Sequence, residues 1–424
     1  MSLYLGIDLG TSGVRTSVID TCGSEIASAS VEMPAPIRID DRPCQDAKLW
    51  WEAVSQCLRI QDTRLRETNR HPGEISALAV DGTSGTLLLT DEDLNPLTPG
   101  YMYNSANFNT EADLIAEHAP ETSMARGAGS TLARLLFLRK QAKNARYALH
   151  QADWIAAKLM KRGGLSDETN VLKMGFDVQN RVWPDWFSAF GFDLIPEVKP
   201  VGEMFGVVDV TIASEFGLSS DLEVIAGTTD SNAAFLASGA SQVGEGVTSL
   251  GTTLAIKLLS DKPVADPTRG IYSHRIKDMW LAGGASNTGG GVLLDHFTPE
   301  QMSEMENALQ PDAPTGLDYY PLSQPGERFP IADPNLAPRL TPRPENDVSF
   351  FQAMLEGISE IEQVGYNALH QLGAPTLKRV YTAGGGAKNH AWTKIRSRRL
   401  GVAIHDALSS NASVGVARIA AGLI

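Results

Sequence analysis

The strongest constraint in this 424-residue chain is a strand-and-turn signature that occurs twice. Residues 7–12 read "IDLGTS" and residues 248–253 read "TSLGTT", sharing Leu-Gly-Thr at Leu9–Thr11 and at Leu250–Thr252. Each copy closes an apolar strand pattern and opens a half of about 200 residues. A chain that restarts one strand–turn–strand pattern at its midpoint is expected to fold as two similar α/β domains facing each other across a cleft. The expected domains are 1–238 and 239–424, with the terminal helix from about residue 411 packing back on the first.

Apolar runs and turn clusters set the element order. "LYLGID", "VRTSVID" and "EIASASVEM" predict three antiparallel strands, the first ending in a glycine loop. Trp51, Val54, Leu58 and Ile60 predict one apolar face on a helix from Ala47 to about Thr68. "ISALAVDGTSGTLLLTD" (Ile75 to Asp91) reads as two strands around a polar turn, and Thr131 to Lys161 as mostly helix. Residues 175–192 read as a loop and short helix. "LEVIAGTTD" is a strand running into Asp230, which stands where an N-cap would precede "SNAAFLASGA". In the second half, Gly244 to Ser260 predicts strand, Gly-Thr turn and strand. Pro311 to Pro344 reads as an irregular surface excursion, and Val348 to Leu372 as a long helix. "LKRVYTAGGGAKN" is a strand feeding three glycines into a helix, and a small-residue helix follows at the end of the sequence.

Several of these segments can carry chemistry. Backbone amides at a glycine turn bind phosphate oxygens because glycine permits close approach and positive φ. "GTSG" (Gly10 to Gly13) and "SLGTT" are such turns, although either would also serve as a plain hairpin turn. Asp8 carries the charge of a phosphate beside the first of them. A divalent cation between carboxylate and phosphate resolves that conflict, since Mg²⁺ takes one or two carboxylates plus phosphate oxygens and water; a turn-forming Asp is the plainer reading. Asp230 can accept a hydroxyl proton during phosphoryl transfer, or simply cap its helix. "GGGAKN" (Gly384 to Asn389) can receive a nucleotide against bare backbone, with Trp392 one turn on as a flank for the base or as a core residue. "GGASNTGGG" (Gly283 to Gly291) suits close domain packing or a hinge. His274, His296 and His390 are isolated, and no His/Cys spacing matches zinc.

Composition narrows the partners. A formal net charge of −14 leaves no basic excess to hold a nucleic-acid backbone or an anionic membrane. The three cysteines, Cys22, Cys44 and Cys57, are odd in number and lack CxxC spacing, which reads as free thiols in a reducing compartment. Residues from Leu3 onward enter a strand pattern without a signal-peptide profile. No apolar run approaches membrane-spanning length. A soluble cytoplasmic protein with small-molecule partners is expected.

Taken in order, these segments resemble the FGGY carbohydrate kinases, members of the actin and hexokinase ATPase superfamily, over almost the whole chain. "GIDLGTSGVR" is similar to that family's first phosphate motif and "GEGVTSLGTT" to its second. "GTTDSNAAF" resembles the segment of the catalytic Asp, "GERFPIADP" (Gly326 to Pro334) its GER.P..DP stretch, "FFQAMLEGI" its helix signature, and "AGGGAKN" its adenosine motif. The resemblance implies an α/β fold of two actin-like (ribonuclease H-like) ATPase domains, with ATP and Mg²⁺ as cofactors. It implies Asp230 as general base and Asp8 as a second catalytic residue that orients Mg²⁺ through water. It implies phosphate and nucleotide contacts at Thr11, Ser12, Gly13, Arg15, Gly251, Thr252, Thr253, Gly385, Gly386, Asn389 and Trp392. A homodimer stays open.

Where many members grip the sugar with Gln-Met-His and with a "WNDxR" segment, this chain reads "DGTSGT" (Asp81 to Thr86) and "YNSAN" (Tyr103 to Asn107). Ser105 and small neutral neighbours therefore stand in for the charged grip. That departure, and the compact length, resemble the short pentulose kinases similar to D-ribulose kinases. In that subgroup the sugar is held by Asp8, Thr11, Ser84, Asp230 and Lys173. The expected activity is ATP-dependent phosphorylation of a ketopentose primary hydroxyl, with D-ribulose foremost and D-xylulose or another polyol as the alternative. A catalytically weak sugar- or nucleotide-binding regulator, and an actin-like filament or chaperone ATPase, are the readings from other classes.

Overall fold

A computed structural model describes residues 2–190 and 193–424, so the last two positions of the 175–192 stretch lie outside the described residues. The chain divides into two compact units, Met1–Ala237 with Asn411–Ile424, and Ser238–Ser410. The mixed α/β character expected from the repeated strand pattern is present in both.

The first unit is built on a six-stranded sheet. Its strands are β1 (Leu3–Leu9), β2 (Gly13–Ile19), β3 (Glu25–Glu32), β4 (Ile75–Gly82), β5 (Met204–Val207) and β6 (Glu223–Thr229), in the spatial order β5-β6-β4-β1-β2-β3. The first three strands pair antiparallel, while β4 and β6 run parallel to β1 and carry its carboxyl end into a row. Burial on both faces explains the near-continuous apolar runs of β1, β4 and β6. One face is covered by α1 (Ala47–Glu67), whose N-cap Asp46 accepts from the Lys48 amide. The stripe that α1 buries centres on Trp50, Val54, Cys57, Leu58 and Leu65. Trp51 and Ile60, expected on that face, are half-buried beside it.

The C-terminal helix Ala412–Ala420 covers the opposite face. It comes so close that a Cβ at Gly6 would stand 1.9 Å from the Ser413 carbonyl oxygen, and one at Gly415 would stand 1.8 Å from that of Ala233. Both positions need glycine for backbone-to-backbone approach.

Within the first unit, the mostly helical 131–161 stretch is two helices, α2 (Thr131–Gln141) and α3 (Gln151–Met160), separated by a strand at Tyr147–His150 that the periodicity does not predict. "YALH" is ordinary helical composition; pairing with Leu87–Thr90 makes it a strand. The helix α4 (Asp230–Ala237) follows β6 directly.

The second unit repeats the plan. Its strands are β7 (Glu245–Leu250), β8 (Leu254–Ser260), β9 (Tyr272–Ile276), β10 (Met279–Ala285), β11 (Arg379–Ala383) and β12 (Ala403–Asp406), ordered β9-β10-β8-β7-β11-β12. An antiparallel hairpin opens it and parallel strands extend it, as in the first unit. Its helices include α5 (Pro299–Glu306), the long α6 (Asp347–Gln371) and α7 (His390–Leu400). A buried ion pair joins the last two: Glu362 and Arg396 are both 0% exposed and meet at 2.7 Å. Thr248 of β7 and Thr382 of β11 bond to the same pair, so it ties both strands to both helices.

The irregular 311–344 segment is not a surface excursion. Tyr319, Leu322 and Phe329 are buried in the core of the second unit. Glu327 is buried too, and accepts from the Ser286 hydroxyl at 2.5 Å, the Tyr320 hydroxyl at 3.1 Å and the Asn287 amide at 2.8 Å. Proline-broken backbone can bury aromatics without any periodic signal, which is why the pattern looked solvated.

Candidate active site

The carboxyl ends of β1, β4 and β6 bring three acids to one edge of the first sheet. Asp8 faces Asp81 across the parallel β1–β4 ladder, Asp81 faces Thr228 of β6, and Asp230 follows two residues later. Ligands of open α/β sheets gather beyond such strand ends. Asp8 is buried, with one oxygen 3.7 Å from the Arg15 guanidinium on β2. Burial raises its carboxyl above the usual value, opposed by the Asp81 contact and by Arg15. Asp81 is completely buried and receives no hydrogen bond among the described residues. Burial, then the neighbouring Asp8, pushes its carboxyl well above the ordinary range. Residue motifs had passed over Asp81. The available signal was that "ISALAVDG" ends an apolar strand in Asp-Gly, as "LYLGID" with its glycine loop nearly does.

Asp230 is the first residue of α4 rather than the residue before it, and its Oδ1 accepts from the Ser231 amide at 2.6 Å. Lys173 is close enough to Asp230 to feel its charge. Burial lowers the ammonium, Asp230 raises it and Arg134 lowers it again. The Gly10–Gly13 turn is closed by the Gly10 amide donating to the Gly13 carbonyl at 3.0 Å. Its carbonyls are held from behind: Gln45 Nε2 donates to Thr11 O at 2.9 Å and the Met33 amide to Ser12 O at 2.8 Å. Thr11 and Ser12 thus sit on a braced loop.

In the "DGTSGT" turn, Thr83 and Thr86 bond to each other at 2.5 Å, Thr83 also donates to Gln151, and the Tyr103 amide donates to Thr86. Ser84 stands half-buried at the tip. Ser105 does not stand in for the lost sugar grip. It is 0% exposed, and its hydroxyl donates to the Pro43 carbonyl at 2.6 Å.

The second unit holds a pocket of about 590 Å³ within itself. Leu250, Gly251 and Thr252 line one side, Gly385, Gly386, Lys388 and Asn389 another, and α5 contributes Met302, Ser303 and Glu306. Within the "GGASNTGGG" run, the Gly290 and Gly291 amides donate to the carbonyls of Gly251 and Thr252 at 2.8 and 3.0 Å, bracing the second Leu-Gly-Thr turn. Thr253 is exposed and outside the lining. Trp392 is a wall rather than a free flank, 2% exposed, with its indole N–H on Ser359 Oγ at 3.1 Å. Asn389 caps α7 by accepting from the Trp392 amide at 2.7 Å.

A shared five-strand core, three antiparallel strands extended by two parallel ones (β3-β2-β1-β4-β6 in one unit, β10-β8-β7-β11-β12 in the other), each opening on a Leu-Gly-Thr turn, is that of the actin-like α/β class. The chain belongs to the FGGY family of carbohydrate kinases: the family's N-terminal domain matches residues 3–237 and its C-terminal domain residues 246–423. It is therefore a phosphotransferase acting on an alcohol group, and the family implies ATP use. The chain is 24% identical to a gluconokinase of Bacillus subtilis, over 93% of this chain and 82% of that protein. It is 23% identical to a xylulose kinase of Escherichia coli, over 93% and 84%. Among solved structures, a xyloylose kinase from Brucella ovis shares the fold with a TM-score of 0.85, covering 100% of this chain and 91% of that one at 23% identity. A glycerol kinase from Plasmodium falciparum with ADP does so at 0.84 and 15%, covering 100% and 89%. No helix among the described residues is long and apolar enough to cross a membrane.

Proposed function

We propose that this kinase phosphorylates the primary hydroxyl of a ketopentose, converting D-ribulose to D-ribulose 5-phosphate, with Asp230 as the general base and Mg-ATP as donor. The observation that carries the reading is the row of strand ends at Asp8, Asp81 and Asp230, with Lys173 beside the last. Asp230 accepts the hydroxyl proton and holds the oxygen in line with the γ-phosphorus. Lys173, whose ammonium is supported by the charge of Asp230, donates to a sugar hydroxyl. Asp8, Thr11 and Ser84 supply the remaining sugar contacts. Thr11, Ser12, Gly13 and Arg15 meet the transferred phosphoryl group. The pocket in the second unit takes the nucleotide against Gly251, Thr252, Gly385 and Gly386.

Magnesium fits these residues. Asp8 offers one carboxylate at the strand end beside the Gly10–Gly13 turn, which suits an ion that takes one or two carboxylates and otherwise phosphate oxygens and water. Bound Mg²⁺ would neutralise charge on the β- and γ-phosphates. Three cysteines without a disulfide accord with a reducing cytoplasm.

D-Xylulose is the second reading, favoured by the relatives named xylulose kinase. Coupled ADP-release assays over a pentulose panel decide the matter. The highest kcat/KM is expected for D-ribulose; a clear preference for D-xylulose would replace the reading, and no stimulation by any pentulose would reject both.

A further inference from the structure

The loops on the sugar side of the first unit converge on one buried cation. Arg134 of α2 is 0% exposed, and no carboxylate among the described residues pairs with it. Its guanidinium reaches backbone carbonyls of three separate loops instead. Nη1 donates to Gly85 O, and Nη2 to Ser105 O at 2.8 Å, Tyr103 O at 3.3 Å and Gly129 O at 3.4 Å. Gly85 adjoins Ser84 in the "DGTSGT" turn, and Tyr103 and Ser105 belong to "YNSAN". These are the two segments in which the chain departs from its family's charged sugar grip. Arg134 also lies near enough to Lys173 for the two charges to repel.

A buried guanidinium without a counter-ion is costly, and persists where its fork satisfies carbonyls that would otherwise be orphaned. The planar fork matters. An ammonium concentrates its three donors on one atom and lacks the span of the two terminal nitrogens that meet these loops here.

We propose that Arg134 is the positioning residue of the sugar site, locking the Ser84 turn, the Tyr103–Ser105 loop and Gly129 at fixed separations. The proposal rests on the first unit being the ketopentose site. Through those loops Arg134 sets where the hydroxyl of Ser84 stands, without touching the substrate itself.

Arg134→Lys and Arg134→Met, assayed with the pentulose the wild type prefers, test it. A merely structural role would lower the active fraction, reducing kcat with both KM values unchanged. Positioning predicts that sugar KM rises about tenfold in Arg134→Met and by a smaller factor in Arg134→Lys, while ATP KM stays within about twofold. If Arg134→Met does not fold, the charge-retaining Arg134→Lys carries the test. Sugar KM within about twofold of wild type in the folded variants, whatever happens to kcat, overturns the proposal. Absence of pentulose-stimulated turnover in the wild type is a different failure, that of the substrate reading.

Discussion

Asp8 and Asp81 are partners across the parallel ladder of β1 and β4, two buried carboxyls side by side at the carboxyl edge of one sheet. Burial, and then the like charge of Asp8, makes the more deeply buried Asp81 hold its proton to a higher pH than an ordinary carboxyl. Asp8, next to Arg15, is left to carry the charge.

That arrangement has a signature in stability against pH. The folded value of Asp81 lies well above its ordinary 3.8, so above that value the unfolded chain releases a proton the folded chain retains. The unfolded state then binds fewer protons, and the contribution of Asp81 to stability falls as pH rises toward its folded value. Asp81→Asn cannot titrate. Its melting temperature relative to wild type should rise as pH increases above the ordinary 3.8, read by thermal denaturation at a series of pH values. A pH-independent difference would contradict the protonated assignment.

Asp230→Ala should lower turnover by about 10² to 10⁴, the usual contribution of a positioned base. Nucleotide affinity should be unchanged, because every residue lining the pocket proposed for the nucleotide belongs to the second unit. Steady-state kinetics and ADP titration check both halves of that statement, and near wild-type turnover would remove Asp230 from the mechanism.

Gly386 lies between Leu250 and Trp392, and a Cβ there would stand 2.8 Å from the Leu250 Cβ and 2.7 Å from the Trp392 ring. Gly386→Val should therefore push the glycine loop into the pocket proposed for the nucleotide and raise ATP KM about tenfold, with sugar KM unaltered. An unchanged ATP KM would show that the loop does not carry the nucleotide.

The Glu362–Arg396 pair is fully buried, so removing one partner leaves an uncompensated charge. Arg396→Met should destabilise the protein by about 3–5 kcal/mol, and adding Glu362→Met should restore much of that loss. Urea unfolding of the two single variants and the double variant gives the coupling directly. Additive losses would mean the pair is not a unit.

Much of this molecule was legible before any coordinates. Hydrophobic runs interrupted by Gly-Thr turns located β1, β7 and the duplication, because strand burial and turn geometry are local demands that residues i to i+5 express themselves. The triple glycine at 384–386 and the helix at Ala47 were legible for the same reason. What remained hidden depends on partners distant in sequence. Tyr147–His150 is a strand because Leu87–Thr90 lies beside it; Ser105 is buried because Pro43 O receives its hydroxyl. Phe329 is core because the 311–344 backbone folds over α6, and Asp81 becomes acidic ballast beneath Asp8 only through strand register. The sequence alone determined the class of fold and where its glycine turns lie. Tertiary structure decided which polar groups face a ligand and which are held by the chain itself, since burial and hydrogen-bond partners are set by non-local packing.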